Sequence, residues 1–191
     1  MKRLLPTLLA CAILGSSAQA RPDPAGDSRA ARAAIVDQAK RDHAYFNRRG
    51  MCLNPTISGA ALDGMRAEDL GGPAYEWWKA PSRPGESDRS PVEAGTARAI
   101  NAAAGAIIRG DVPAPMGNAD RRDAAGLGLP LCSSAEQVPR LTLSGPSTSG
   151  DFAFVDAGFV CGGLCGNGTL YALRRRAGGW EVVAEVSTWI S

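Results

Sequence analysis

The chain has 191 residues, with 21 Lys plus Arg against 19 Asp plus Glu, 45% hydrophobic residues and one histidine. Lys2 and Arg3 lie in the first twenty residues with no acidic residue beside them, so the remainder is formally neutral. Neutrality gives no net pull on phosphate backbones, which excludes nucleic acid as an expected partner, and a single histidine excludes zinc sites built from two or more.

Lys2 and Arg3 begin a positive segment, residues 4–14 are mostly apolar, and Ala18-Gln19-Ala20 is a small-x-small cleavage site ahead of Arg21-Pro22. This pattern predicts a secretory signal peptide over 1–20, cut after Ala20. The apolar run falls short of the about 20 residues that span a bilayer. No later run is long enough, so no transmembrane segment is expected in the mature chain. Acylation at Cys11 ranks below ordinary cleavage, because Pro6 interrupts the short stretch before it. The expected location is periplasmic or secreted, and 28–191 is expected to fold as a single domain.

Residues 21–27 carry two prolines and read as a flexible leader. Residues 28–48 read as a helix capped by Asp27 or Ser28 and stopped at Gly50. Ile35, Val36, Ala39, His43 and Phe46 share its apolar side, while Arg29, Arg32, Lys40, Arg41 and Arg48 mark the wet side. Residues 53–90 are rich in Gly, Pro and Ser around Tyr75, Trp77 and Trp78, which are the candidate lining of a ligand cleft. Ser90-Pro91-Val92-Glu93 reads as a capping box opening a second helix. Thr96, Ile100, Ala103, Ala104, Ile107 and Ile108 form its face, and Gly110 is its stop. Residues 111–130 read as a loop.

From Arg140 the period becomes two. Strands are expected at 141–143, 152–160, 169–175 and 180–190, with 161–168 a glycine-rich loop. Turns this short require antiparallel pairing. Strict alternation in the last strand puts Trp180, Val182, Ala184, Val186 and Ile190 on a buried face, and Glu181, Glu185 and Ser187 on a wet one. The expected fold is α+β: two helices packed on a C-terminal antiparallel meander of about four strands, disulfide-bonded.

Beyond the signal stand Cys52, Cys132, Cys161 and Cys165. An even count in an exported chain favours disulfides. Of the three possible pairings, Cys161–Cys165 and Cys52–Cys132 are preferred. The chain-entropy model gives roughly 2 and roughly 4–5 kcal/mol for them, as upper estimates. Cys161 and Cys165 in their glycine-rich surroundings also admit a redox-active pair or a Cu(I) site. His43 lies on a core-facing stripe, where packing is commoner than catalysis. Arg174-Arg175-Arg176 is the only basic run and reads as strand-end protection, with an anion site as the rival. No residue is assigned a catalytic role, and no cofactor or metal is implied.

The tail carries Cys161, Cys165, Gly166 and Gly168, then Tyr171, Trp180, Trp189, Ile190 and Ser191. It resembles the C-terminal hairpin of small exported bacterial proteins of unknown function, with a Cys-Gly-Gly-Leu-Cys-Gly stretch and a Trp-Ile-Ser ending. The likeness covers the last fifth of the chain and implies no activity. The expected function is that of an exported, non-enzymatic binding or structural domain, with an envelope protein or a small ligand as partner. The alternative is a thiol redox or copper-binding protein using Cys161 and Cys165.

Overall fold

The computed structural model describes residues 24–42, 50–54, 59, 61–63, 65, 77–81, 89–111, 126–134 and 138–190. Two helices and six strands follow in the order α1 (Pro24–Asp42), β1 (Cys52–Leu53), α2 (Ala94–Ile108), β2 (Arg140–Leu143), β3 (Ser147–Ser149), β4 (Phe152–Gly162), β5 (Cys165–Arg176) and β6 (Gly179–Ile190). The strands form one sheet, β1-β2-β4-β5-β6, with β3 also paired to β4. All pairings are antiparallel except β1 with β2. The fold is α+β.

Both faces of the sheet are covered, not one. Ala31, Ile35, Val36 and Ala39 of α1 pack on Leu141, Val155, Tyr171, Leu173 and Trp180. Ala97, Ile100 and Ala104 of α2 pack on the opposite face, over Phe154, Leu170, Ala172 and Ala184. The hairpin strands are therefore apolar on both sides, as strands in a sheet covered by two layers must be.

Alternation in β6 fails because the strand is bulged. Leu173 pairs with Val182 and Ala172 with Ala184, so Val183 is an extra residue. A bulge of this kind reverses which side the following residues face. Trp180 and Val182 belong to the α1 side, whereas Ala184 and Val186 belong to the α2 side. Glu185 then falls opposite Tyr171 and is 0% exposed, instead of lying on a wet face.

The helices also depart from expectation at their ends. The first begins at Pro24, inside the expected leader, and Asp27 is a first-turn residue rather than a cap. Its carboxylate accepts two hydrogen bonds from Arg175, both at 2.9 Å, fastening the helix start to β5. Arg32, expected on the wet side, is buried. His43, Phe46 and Arg48 lie outside the described residues. The second helix begins at Ala94, and no side chain caps its start. Pro91 is not its first residue but bridges to Lys79. Its C-terminus follows the sequence: Gly110 takes a φ of 75°, and its N–H donates to Ile107 O while that of Asp111 donates to Ala106 O. Those two bonds are a Schellman closure, which needs the left-handed conformation glycine adopts at little cost.

The edges of the sheet are guarded. Lys79 exchanges two backbone hydrogen bonds with Glu185, at 2.9 and 3.0 Å, and a ribbon of residues 78–80 and 90–92 thereby extends β6. On the far side β1 is held by β2 and by residues 130–132, through Leu53 N to Pro130 O and Cys132 N to Leu53 O. Covering strand edges in this way blocks pairing with other chains. Among the described residues no helix is long and apolar enough to cross a membrane.

Candidate functional site

The four cysteines beyond residue 20 form two disulfides, Cys52–Cys132 and Cys161–Cys165, with Cα atoms 5.0 and 5.2 Å apart. Their surroundings differ. Cys52 is 0% exposed, whereas Cys165 is exposed and Cys161 half-buried. The segment expected as a loop at 161–168 is in fact strand on both sides of a tight turn at Gly163-Leu164. Gly162 and Gly163 both have positive φ, at 104° and 56°, so the chain can reverse there without the strain a side chain would add.

The nearby glycines serve a second purpose. Trp189 lies across Gly158, Gly166 and Gly168, and a Cβ at Gly166 would meet the indole at 3.1 Å. At Gly168 a Cβ would collide with the Trp189 indole and the Thr188 hydroxyl. The glycine spacing thus makes a floor for an aromatic ring that remains 43% exposed.

The expected aromatic cleft does not form as a cluster. Trp78 fills the core at 2% exposure, donates from Nε1 to Asn101 Oδ1 at 2.7 Å, and packs at a tilt on Phe154. Trp77, in a turn beside it, is exposed. Tyr75 lies outside the described residues, as do Ala18 and Ala20.

A recess of about 510 Å³ lies instead between the start of α2 and the β5–β6 hairpin. Val92, Val182 and Val183 supply apolar lining, and Glu93, Arg174, Arg176 and Glu181 supply charge. Register places Arg174 directly opposite Glu181, while Arg176 Nε donates to Glu181 at 2.8 Å. Arg174 carries its guanidinium 5.7 Å from the centre of the Phe152 ring, a cation–π contact that fixes it without neutralising it. Comparison with family models, curated proteins and solved structures finds no match.

A second polar group lies under the C-terminal end of α1. Tyr171 Oη donates to Asp42 Oδ2 at 3.1 Å, and Gln38 Nε2 donates to Asp42 Oδ1 at 2.9 Å. Glu185, opposite Tyr171, is ion-paired with Arg89. Burial, and after it the charges of Asp42 and Glu185, hold the Tyr171 phenol well above its ordinary range. The folded state therefore keeps a proton that the unfolded chain releases near pH 10.0. Stability from this group is complete below that pH and is lost as pH climbs towards the folded value. Tyr171→Phe is expected to flatten the alkaline fall of Tm while costing about 1.5 kcal/mol near neutrality for the lost hydrogen bond. A Tm–pH curve for both proteins above pH 9 checks this.

The sequence pointed to Cys161 and Cys165, and the structure joins them. It did not point to the recess, whose residues come from three separate stretches. Arg174 and Arg176 had drawn notice as a basic run, Glu181 and Val182 as strand residues, and Pro91, Val92, Glu93 and Thr96 as part of a helix, but not as one site. Among the described residues no cluster of three or more His, Cys, Asp or Glu is placed to hold a metal ion.

Proposed function

We propose that the protein is an exported, non-enzymatic binding domain of the cell envelope or exterior, held together by its two disulfides and presenting the recess beside α2 to its ligand. The observation that carries the reading is the state of the cysteines: all four beyond residue 20 are bonded in pairs. Disulfides persist in oxidising compartments, and the pattern over 1–20 supplies a route there. Expression of the full chain in a bacterial host tests it. The expected product is an oxidised protein in the periplasm or medium whose first residue is Arg21. A cytoplasmic product with residues 1–20 intact and its thiols reduced overturns it.

A second reading is thiol exchange at Cys161–Cys165, favoured by the exposure of Cys165. The thiolate of a dithiol donor would attack Cys165 Sγ and expel the Cys161 thiolate, which takes up a proton. The donor's second thiol then resolves the mixed disulfide, leaving two protein thiols and an oxidised donor. Mild dithiol is expected to reduce this pair before Cys52–Cys132, with the fold retained, because the staple contributes only about 2 kcal/mol. Mass mapping of alkylated cysteines reads the order of reduction. Cu(I) binding is a branch of the same reading, since copper needs both thiolates released, and titration of the reduced protein tests it. Resistance of the pair to reduction until global unfolding overturns both forms.

A further inference from the structure

The recess is lined by both charges, from the sheet and from the start of α2, and resting on the binding-domain reading above, this names a ligand class. On the sheet side Arg176 and Glu181 neutralise each other. Arg174 is half-buried and is held over Phe152. On the helix side Glu93 stands at the start of α2. Among the described residues neither the Arg174 guanidinium nor the Glu93 carboxylate has an ion-pair partner. Val92, Val182 and Val183 line the space with apolar surface.

We propose that this recess binds a short peptide with free ends and apolar side chains. Its terminal carboxylate meets Arg174, its terminal ammonium meets Glu93, and its side chains cover the valines. An arginine fork matches a carboxylate with two parallel hydrogen bonds. Polyanions are disfavoured by Glu93 and polycations by Arg174, so charge complementarity selects a zwitterion. The volume of about 510 Å³ lies within the roughly 300–1,000 Å³ of small-molecule sites.

Calorimetric titration of the oxidised, exported chain with the dipeptide Leu-Leu tests this. N-acetyl-Leu-Leu, Leu-Leu amide and inorganic phosphate serve as comparison probes. Saturable binding of Leu-Leu is expected, at least ten-fold weaker for each blocked form. Glu93→Gln is expected to abolish discrimination against the acetylated dipeptide but not against the amide. Arg174→Gln is expected to do the reverse, and thermal melts of both variants report whether they fold. The wild-type comparison of blocked and free dipeptides needs no variant at all. Equal binding of blocked and free forms, or saturation by phosphate alone, overturns the zwitterion while leaving the binding-domain reading standing. Saturation by none of the four probes overturns the inference, and the export experiment then decides the broader reading independently.

Discussion

Replacing Cys52 and Cys132 together by alanine is expected to lower the unfolding free energy by about 4.5 kcal/mol. The two residues are 80 apart in sequence, so reduction releases a long loop in the unfolded chain, and the entropy of that loop sets the magnitude. Domains of ordinary stability have about 5–15 kcal/mol in total, so this variant stands close to unfolding. The local structure explains why nothing else compensates. The strand that holds Cys52 has two residues, and its outer neighbour, the 130–132 segment, is attached by two backbone hydrogen bonds. Removing Cys161 and Cys165 instead is expected to cost about 2 kcal/mol, because the closed loop is short and because strands of 11 and 12 residues already align the hairpin. Denaturant titrations of the two double variants, without reductant, compare them directly. Equal losses would show that chain entropy does not govern these staples.

Arg89→Ala is expected to cost about 3 kcal/mol at neutral pH, at the low end for breaking a buried ion pair. The asymmetry of the pair sets this value. Glu185 is 0% exposed, whereas 38% of the Arg89 side chain reaches solvent. Removing the arginine takes a compensating cation from a carboxylate that water cannot reach, while removing the glutamate leaves a cation that water can solvate. Glu185→Gln is therefore expected to cost less than Arg89→Ala, and adding Glu185→Gln to Arg89→Ala is expected to recover part of the loss. A double-mutant cycle by chemical denaturation measures this coupling. Zero coupling would mean that the pair adds nothing to the fold, and that the backbone bonds between Lys79 and Glu185 hold the 78–80 ribbon alone.

Much of the fold was legible along the chain because its signals are local. The apolar stripe of α2 and its stop at Gly110 are written within one helical face and one turn. The hairpin around Ala177-Gly178-Gly179 and the hydrophobic run of β4 are equally local. Cysteine count and spacing left three pairings, and the preferred one is the one that forms. The helix start was misplaced because Ser90 and Pro91 satisfy a capping rule, yet they are drawn into backbone pairing with 78–80. Trp78 could not be told from a cleft residue, since its burial depends on Asn101 and Phe154, distant in sequence.

By itself the sequence determined the α+β class and the antiparallel order of the C-terminal strands. Only the tertiary structure decided which side of the sheet each late residue faces. One extra residue, Val183, shifts the register of β6 against β5 and carries Glu185 from solvent into the core. A side-chain period of two holds only while both strands advance together. Where they fall out of step is fixed by packing on both faces at once, by α1 on one side and α2 on the other, and no pattern within a single strand records that.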